Sequence, residues 1–380
     1  MICGTGRLMS REGSGGLPRA GLAGYWLFGT DNLLKWSEEF QRWIFASCVV
    51  TSDAAIAPDG NQTADRAVIG STLDGLYQNL AGLSAGQQYT FSFWAKNNGG
   101  AQAKYLVWNN TASAAVVAAT SYVGGISDWA RISVSFVVPS GCLSIGLYPL
   151  YNANADVFLW GAMLNEGPTA LPYVKTMDLQ TIPDLSGQGK TLQLGSTSGA
   201  DANDPRLTQA GAVFDGVDDY GVCSSTVLNG AGRTLVAVAK VASDPGSRGY
   251  GMLQAGGNAT YHTITAGLHY FASDTYGGAQ VTAAHPSALS LDTWYFLASR
   301  RATDRFELWV DTSRYVAGAS GALAVPAPLG YVGTFDGALG PFDGTIAAVL
   351  SYDRALSDAE VARLYGWLKA ELAPRGVTLG

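Results

Sequence analysis

The chain has 380 residues, enough for two or three domains that each bury a core. Charged residues make up only 14%, glycine occupies 48 positions and the net charge is −7, a balance that suits all-β sandwiches with tight turns and argues against helical bundles and nucleic-acid binding. No segment reaches the ~18 consecutive apolar residues of a membrane span, and the first ten residues lack a secretory apolar core.

Residues 1–20 are rich in Gly, Ser and Arg without hydrophobic period, and predict a flexible arm. Gly21-Leu-Ala-Gly-Tyr-Trp-Leu-Phe28 predicts a strand. Its natural continuation, the turn Asp184-Leu-Ser-Gly-Gln-Gly189, comes only after about 150 residues, a domain's worth of chain. Inside that interval, strands with period-two alternation are predicted at Tyr89–Lys96, Lys104–Trp108 and Ala130–Val138. Tyr89, Phe91, Phe93 and Ala95 share one face of the first, and Ile132, Val134, Phe136 and Val138 one face of the third. After residue 178 strands recur at Arg233–Ala239, Trp294–Ser299, Arg305–Val310 and 342–352. A terminal helix then opens on a Ser357/Glu360 capping box, presents Val361, Leu364, Tyr365 and Leu368 as one stripe, and ends at Pro374 and Gly376.

Two family resemblances rest on these segments. Residues 21–28, the Asp184–Gly189 turn, Ala212-Val-Phe-Asp-Gly-Val-Asp-Asp-Tyr220 and the closing run from Phe342 to Ser357 resemble a laminin-G-like (concanavalin A-like) jelly roll. Asn32-Leu-Leu-Lys-Trp-Ser-Glu-Glu-Phe40, Ala57-Pro-Asp-Gly60, the Asp128/Trp129/Arg131 signature and Val157-Phe-Leu-Trp-Gly-Ala-Met-Leu164 resemble the carbohydrate-binding-module-like domains common in phage tail proteins. The expected architecture is all-β: two jelly-roll β-sandwiches, one inserted in the other, with a C-terminal α-helix. The expected boundaries are 1–20 for the arm, 21–30 plus 178–380 for the laminin-G-like sandwich and 31–177 for the insert.

The resemblance implies a non-enzymatic phage virion protein, a tail-fibre, baseplate or head-fibre component that binds host surface polysaccharide. Residues 1–20 would dock on other virion proteins. Purely structural decoration of the virion is the first alternative, and a bacterial adhesin or accessory glycan-binding module the second. No heptad or fibre repeat demands a homo-oligomer, which stays open. The hydrolases of this fold place carboxylates on one strand as E-x-D-x-x-E or E-x-D-x-E, and no such run occurs, nor a G-x-S-x-G or a phosphate-binding glycine loop.

Aromatic rings with amide neighbours are the chemistry that holds sugars. The candidates are Trp108, Tyr105, Asn109, Tyr148 and Tyr151, with Asn110, Asn152 and Asn154 close in sequence. Tyr105 and Trp108 have opposite strand parity and cannot share a face, and Trp108, nearer the loop, is the first choice. Tyr250, His269, Tyr270 and Tyr276 form a weaker set in loop-rich sequence. Asp215, Asp218 and Asp219 are hard oxygen ligands at a spacing that could hold a structural calcium ion, or else plain turn residues. Cys3, Cys48, Cys142 and Cys223 show no zinc spacing; Cys48 and Cys142 could meet, while buried free thiols are the simpler reading.

Overall fold

The computed structural model describes residues 16–70, 75–99, 103–122, 127–151, 154–198, 201–223, 232–255, 260–276, 279–302, 304–318 and 329–380. Most of the expected arm, with Cys3, lies outside them. The regular structure of the described chain is mostly antiparallel strand, with one α-helix at its C-terminal end. It divides into two compact units, one comprising residues 31–179 and the other residues 16–30 together with 180–380.

The larger unit opens with β1 (Leu22–Leu27). The smaller unit follows with β2 (Ile44–Ala46), β3 (Cys48–Ala55), β4 (Ala64–Ile69), β5 (Gly75–Ala81), β6 (Gln88–Asn97), β7 (Lys104–Asn109), β8 (Ala114–Ser121), β9 (Ala130–Val137), β10 (Ser144–Tyr151) and β11 (Ala155–Glu166). The larger unit resumes with β12 (Thr181–Ile182), β13 (Leu192–Leu194), β14 (Arg206–Leu207), β15 (Ala212–Asp215), β16 (Gly221–Cys223), β17 (Arg233–Val241), β18 (Tyr250–Ala255) and β19 (Thr260–Thr265). It ends with β20 (His269–Tyr276), β21 (Ala279–Ala288), β22 (Tyr295–Arg301), β23 (Arg305–Val310), β24 (Ser313–Gly318), β25 (Leu329–Val332), β26 (Asp343–Tyr352) and α1 (Asp358–Leu372).

In the smaller unit the sheets β2-β5-β10-β7-β8 and β3-β4-β11-β6-β9 face each other across one core. Tyr89, Phe91, Phe93 and Ala95 of β6 enter that core, as their alternation requires. The opposite side of β6 is also covered. Trp94 meets Trp160 and Tyr173 at ring separations of 5.2 and 5.6 Å, and the Arg131 guanidinium lies 4.5 Å over Trp94. The Trp129 and Trp160 indoles donate to Ile56 O and Thr63 Oγ1, so these family-marker tryptophans are structural.

In the larger unit β14-β15-β26-β17-β22-β23-β24 packs against β12-β13-β16-β25-β18-β19-β20-β21. β17 is buried on both faces: Leu235, Ala237 and Ala239 point into the inter-sheet core, while Val236 and Val238 lie beneath α1 with Leu364 and Leu368. β1 pairs with β26 and so joins the later strands. Asp184 fixes that junction, its carboxylate accepting from the N–H groups of Tyr25 at 3.1 Å, Ser186 at 2.9 Å and Lys190 at 3.1 Å. The Trp26 indole donates to Lys190 O at 2.8 Å. Cys48, Cys142 and Cys223 are buried and are not joined in disulfides among the described residues.

Candidate functional site

The open surface of the β2-β5-β10-β7-β8 sheet is set by strand parity. Leu76, Val107, Ile145 and Leu147 enter the core, and a bulge after Tyr148 turns Leu150 inward too, so Tyr77, Trp108, Gly146, Tyr148 and Tyr151 face outward. Register then aligns Tyr77 with Ile44 and Tyr148 with Leu106. One step along, Asn79 and Trp108 flank Gly146, and on the other side Tyr151 stands opposite Gly75 and Lys104. The Tyr77 and Tyr148 rings stack at 4.5 Å with an interplanar angle of 22°. Tyr151 meets Tyr148 edge-on at 5.7 Å.

Two glycines make this arrangement fit. A Cβ on Gly75 would stand 2.9 Å from the Tyr148 ring, and one on Gly146 would stand 3.0 Å from it and 3.2 Å from Asn79 Oδ1. The Tyr148 ring therefore lies low on the sheet, over Gly75 and Gly146, with Trp108 and Asn79 paired on either side of Gly146. Asn110 joins this edge: its amide donates to Asn79 Oδ1 at 3.0 Å and to Ser144 Oγ at 2.9 Å. Burial, with Tyr77 and Tyr151 adding to it, pushes the Tyr148 hydroxyl up to about 12, so it remains a neutral donor. The Trp108 indole is half-buried, and its N–H has no partner among the described residues. Flat apolar rings beside amide and hydroxyl groups can stack on the C–H face of a pyranose and bond its hydroxyls.

Trp108, Tyr148 and Tyr151 thus share one face. Tyr105 and Asn109 do not. Tyr105 packs inward beside Tyr122, ring to ring at 6.4 Å, and Asn109 is buried with its carbonyl capping the N–H groups of Thr111 and Ala112. These two leave the candidate set because strand parity turns them to the core. Tyr77, Asn79 and Gly146 join it. Asn152 falls outside the described residues, and Asn154 is an exposed turn residue with φ 53°.

The weaker set of the larger unit is corrected in part, His269 alone of its described side chains being exposed, at the start of β20. Tyr250 and Tyr270 are strand residues buried in the core, and only the backbone of Tyr276 is described. Tyr270 Oη and Ser299 Oγ hold the two ring nitrogens of His262 at 2.8 and 2.7 Å. This serine–histidine pair is fully buried and closed to any substrate.

One carboxylate oxygen from each of Asp215, Asp218 and Asp219 lies within 4.8 Å of the other two. Asp215 Oδ1 accepts from Val217 N–H at 2.8 Å, and Asp219 Oδ2 from Asp215 N–H at 2.8 Å, so turn chemistry uses part of the set. Burial, reinforced by Asp215, Asp218 and Asp204, outweighs that N–H bond and lifts the Asp219 carboxyl to about 7. Crowded hard oxygens of this kind could hold a divalent cation, whose charge would relieve the repulsion.

A family model described as "Concanavalin A-like lectin/glucanases superfamily" matches residues 215–362. Solved structures similar to the chain include Trypanosoma rangeli sialidase in complex with the inhibitor DANA, at 19% identity and TM-score 0.37, with 49% of this chain and 30% of that chain covered. A second is the botulinum neurotoxin serotype D ligand binding domain in complex with N-acetylneuraminic acid, at 11% identity and TM-score 0.38, covering 49% and 48%. Another Trypanosoma rangeli sialidase structure covers 64% of this chain and 43% of its own, at 14% identity and TM-score 0.39. The chain spans less than half the length of each of these three. No curated protein matches the chain. The larger unit is a jelly-roll sandwich whose residues 215–362 match the concanavalin A-like lectin/glucanase family.

Proposed function

We propose that the protein is a non-enzymatic glycan-binding component of a phage virion, a tail-fibre, baseplate or head-fibre part that attaches to host surface polysaccharide. The observation that carries glycan binding is the outward face holding Trp108, Tyr148, Tyr77 and Tyr151 beside Asn79 and Asn110. The lectin/glucanase match over residues 215–362 supports the same class of ligand. The virion assignment rests on the resemblance of residues 31–177 to phage tail modules.

Several features favour binding without catalysis. Glu38 is held by Lys175 Nζ at 2.6 Å and Tyr173 Oη at 2.9 Å, and Glu307 is buried against Arg300. Both carboxylates are thus engaged by cations, whereas glycoside hydrolysis needs a pair free to flank the scissile bond. Each sugar contact is weak, and many copies on one particle would raise avidity. Calcium in the Asp215/Asp218/Asp219 cluster is part of the proposal as a structural ion.

A glycan array probed with purified protein, with and without calcium, tests the proposal. Saturable binding by the wild type that falls at least ten-fold in Trp108→Ala is the expected result. A folded wild type that binds no glycan under either condition contradicts it.

A further inference from the structure

The larger unit carries a second polar and aromatic surface, remote in sequence from the residues considered so far. Pairing across β13, β16, β25, β18 and β19 sets Gln193, Val222, Tyr331, Gln254 and Tyr261 in one transverse row. Their sequence neighbours Leu192, Leu194, Cys223, Leu253 and Val332 are in the core, so the row faces outward. Over its β13–β16–β25 end lies an open groove of about 360 Å³. Gln193 and Val222 form its floor, and Tyr220 and Tyr331, edge to face at 6.1 Å, its aromatic wall. Asp336 and Gly337 form its lip. Gly337 has φ +89°, and a Cβ there would meet the Tyr331 ring at 3.3 Å, so glycine lets the lip close on the ring.

The charge of the groove is one-sided. Asp336 Oδ1 accepts from Ala338 and Leu339 N–H at 3.0 and 2.8 Å, which fixes the carboxylate at the lip. Ser196, also on the wall, donates to Asp201 at 2.7 Å, and Asp201 N–H in turn donates to Asp204 at 2.8 Å. Among the described residues, no Lys, Arg or His lines the groove. A volume of this order suits a small ligand, and a Tyr wall with an amide floor suits a sugar. Fixed carboxylates accept hydroxyl hydrogen bonds and repel an acidic sugar.

We propose that this groove is a second glycan site that takes short neutral oligosaccharides and rejects sialylated ones. The inference rests on the glycan-binding reading and names the ligand class for the larger unit. Its test uses the full chain on an array of neutral and sialylated glycans, with folding of each variant checked by circular dichroism. Trp108→Ala is expected to retain binding to neutral glycans at least ten-fold above their sialylated counterparts. Adding Tyr331→Ala should remove that binding at least ten-fold, and Tyr331→Phe should keep it. Asp336→Lys, an exposed change, should narrow the discrimination against sialylated glycans. Loss of all binding on Trp108→Ala alone would overturn the groove while leaving the first site standing. Residual binding that ignores Tyr331, or that favours sialylated glycans, would also overturn it. A wild type that binds nothing defeats the underlying glycan reading as well.

Discussion

At the scale of single residues, the larger unit is held by buried polar groups that a β-sandwich tolerates only when they are satisfied. Asp274 is enclosed with Arg233, at 2.7 Å, and Arg301, at 3.3 Å. Asp274→Ala should cost about 3–5 kcal/mol, because it leaves two guanidinium groups in the interior; denaturant unfolding measures this. His262 is fully buried, and burial lowers its pKa from 6.5 to about 3. Between those values the unfolded chain binds the proton and the folded one does not. The contribution of His262 is therefore complete above pH 6.5 and is lost as pH falls toward about 3. The wild type should lose stability over that window, and His262→Gln should show a smaller slope on acidification in thermal melts across pH.

At the scale of elements, α1 shows how local and tertiary signals combine. Ser357 Oγ accepts from Glu360 N–H at 3.3 Å and Glu360 Oε2 accepts from Ser357 N–H at 2.8 Å, while Val361, Leu364 and Leu368 sit against β17 and β26. Ser357→Ala should cost about 1 kcal/mol in equilibrium unfolding. Arg354, with Ser357 assisting, holds Glu360 at about 2 against an ordinary 4.5. That support is full above pH 4.5 and is lost on acidification toward about 2, and Glu360→Gln should flatten this part of the profile. This helix was legible from its stripe and capping box, and so was β6 from its alternation. The face of β7 and β10 was legible only in part. Alternation separates Tyr105 from Trp108, but it does not say which of the two sides a second sheet covers. Tyr77 was missed because its neighbour Leu76 carries the core signal and a single tyrosine between Leu and Gln marks neither face. Tyr250 and Tyr270 were misplaced because Gly249 and Gly251 flank the first and Gly267 shortly precedes the second, and glycine signals a turn as readily as an edge.

At the scale of the whole molecule, low charge and abundant aromatics serve two ends. Some rings close cores, as Trp26 and Trp160 do, and others stay on open sheet faces, as Tyr77 and Tyr331 do. Two such faces in one chain would let a multicopy assembly gain avidity from weak contacts. The calcium ion proposed for the Asp215/Asp218/Asp219 cluster would act at this scale, as a stabiliser of the native state. Millimolar calcium should raise the melting midpoint of the wild type, since a ligand at 100 times its Kd adds about 2.7 kcal/mol, and Asp219→Asn should abolish the rise. Differential scanning fluorimetry checks both. The central claim, that the outward face of the β2-β5-β10-β7-β8 sheet receives a sugar, is tested most directly by titration calorimetry of the best array glycan against two variants. Trp108→Ala should lose at least ten-fold in affinity, about 1.4 kcal/mol or more, and Tyr105→Phe should stay within two-fold of wild type, about 0.4 kcal/mol. Unchanged affinity in a folded Trp108→Ala protein, with loss in Tyr105→Phe, would contradict it.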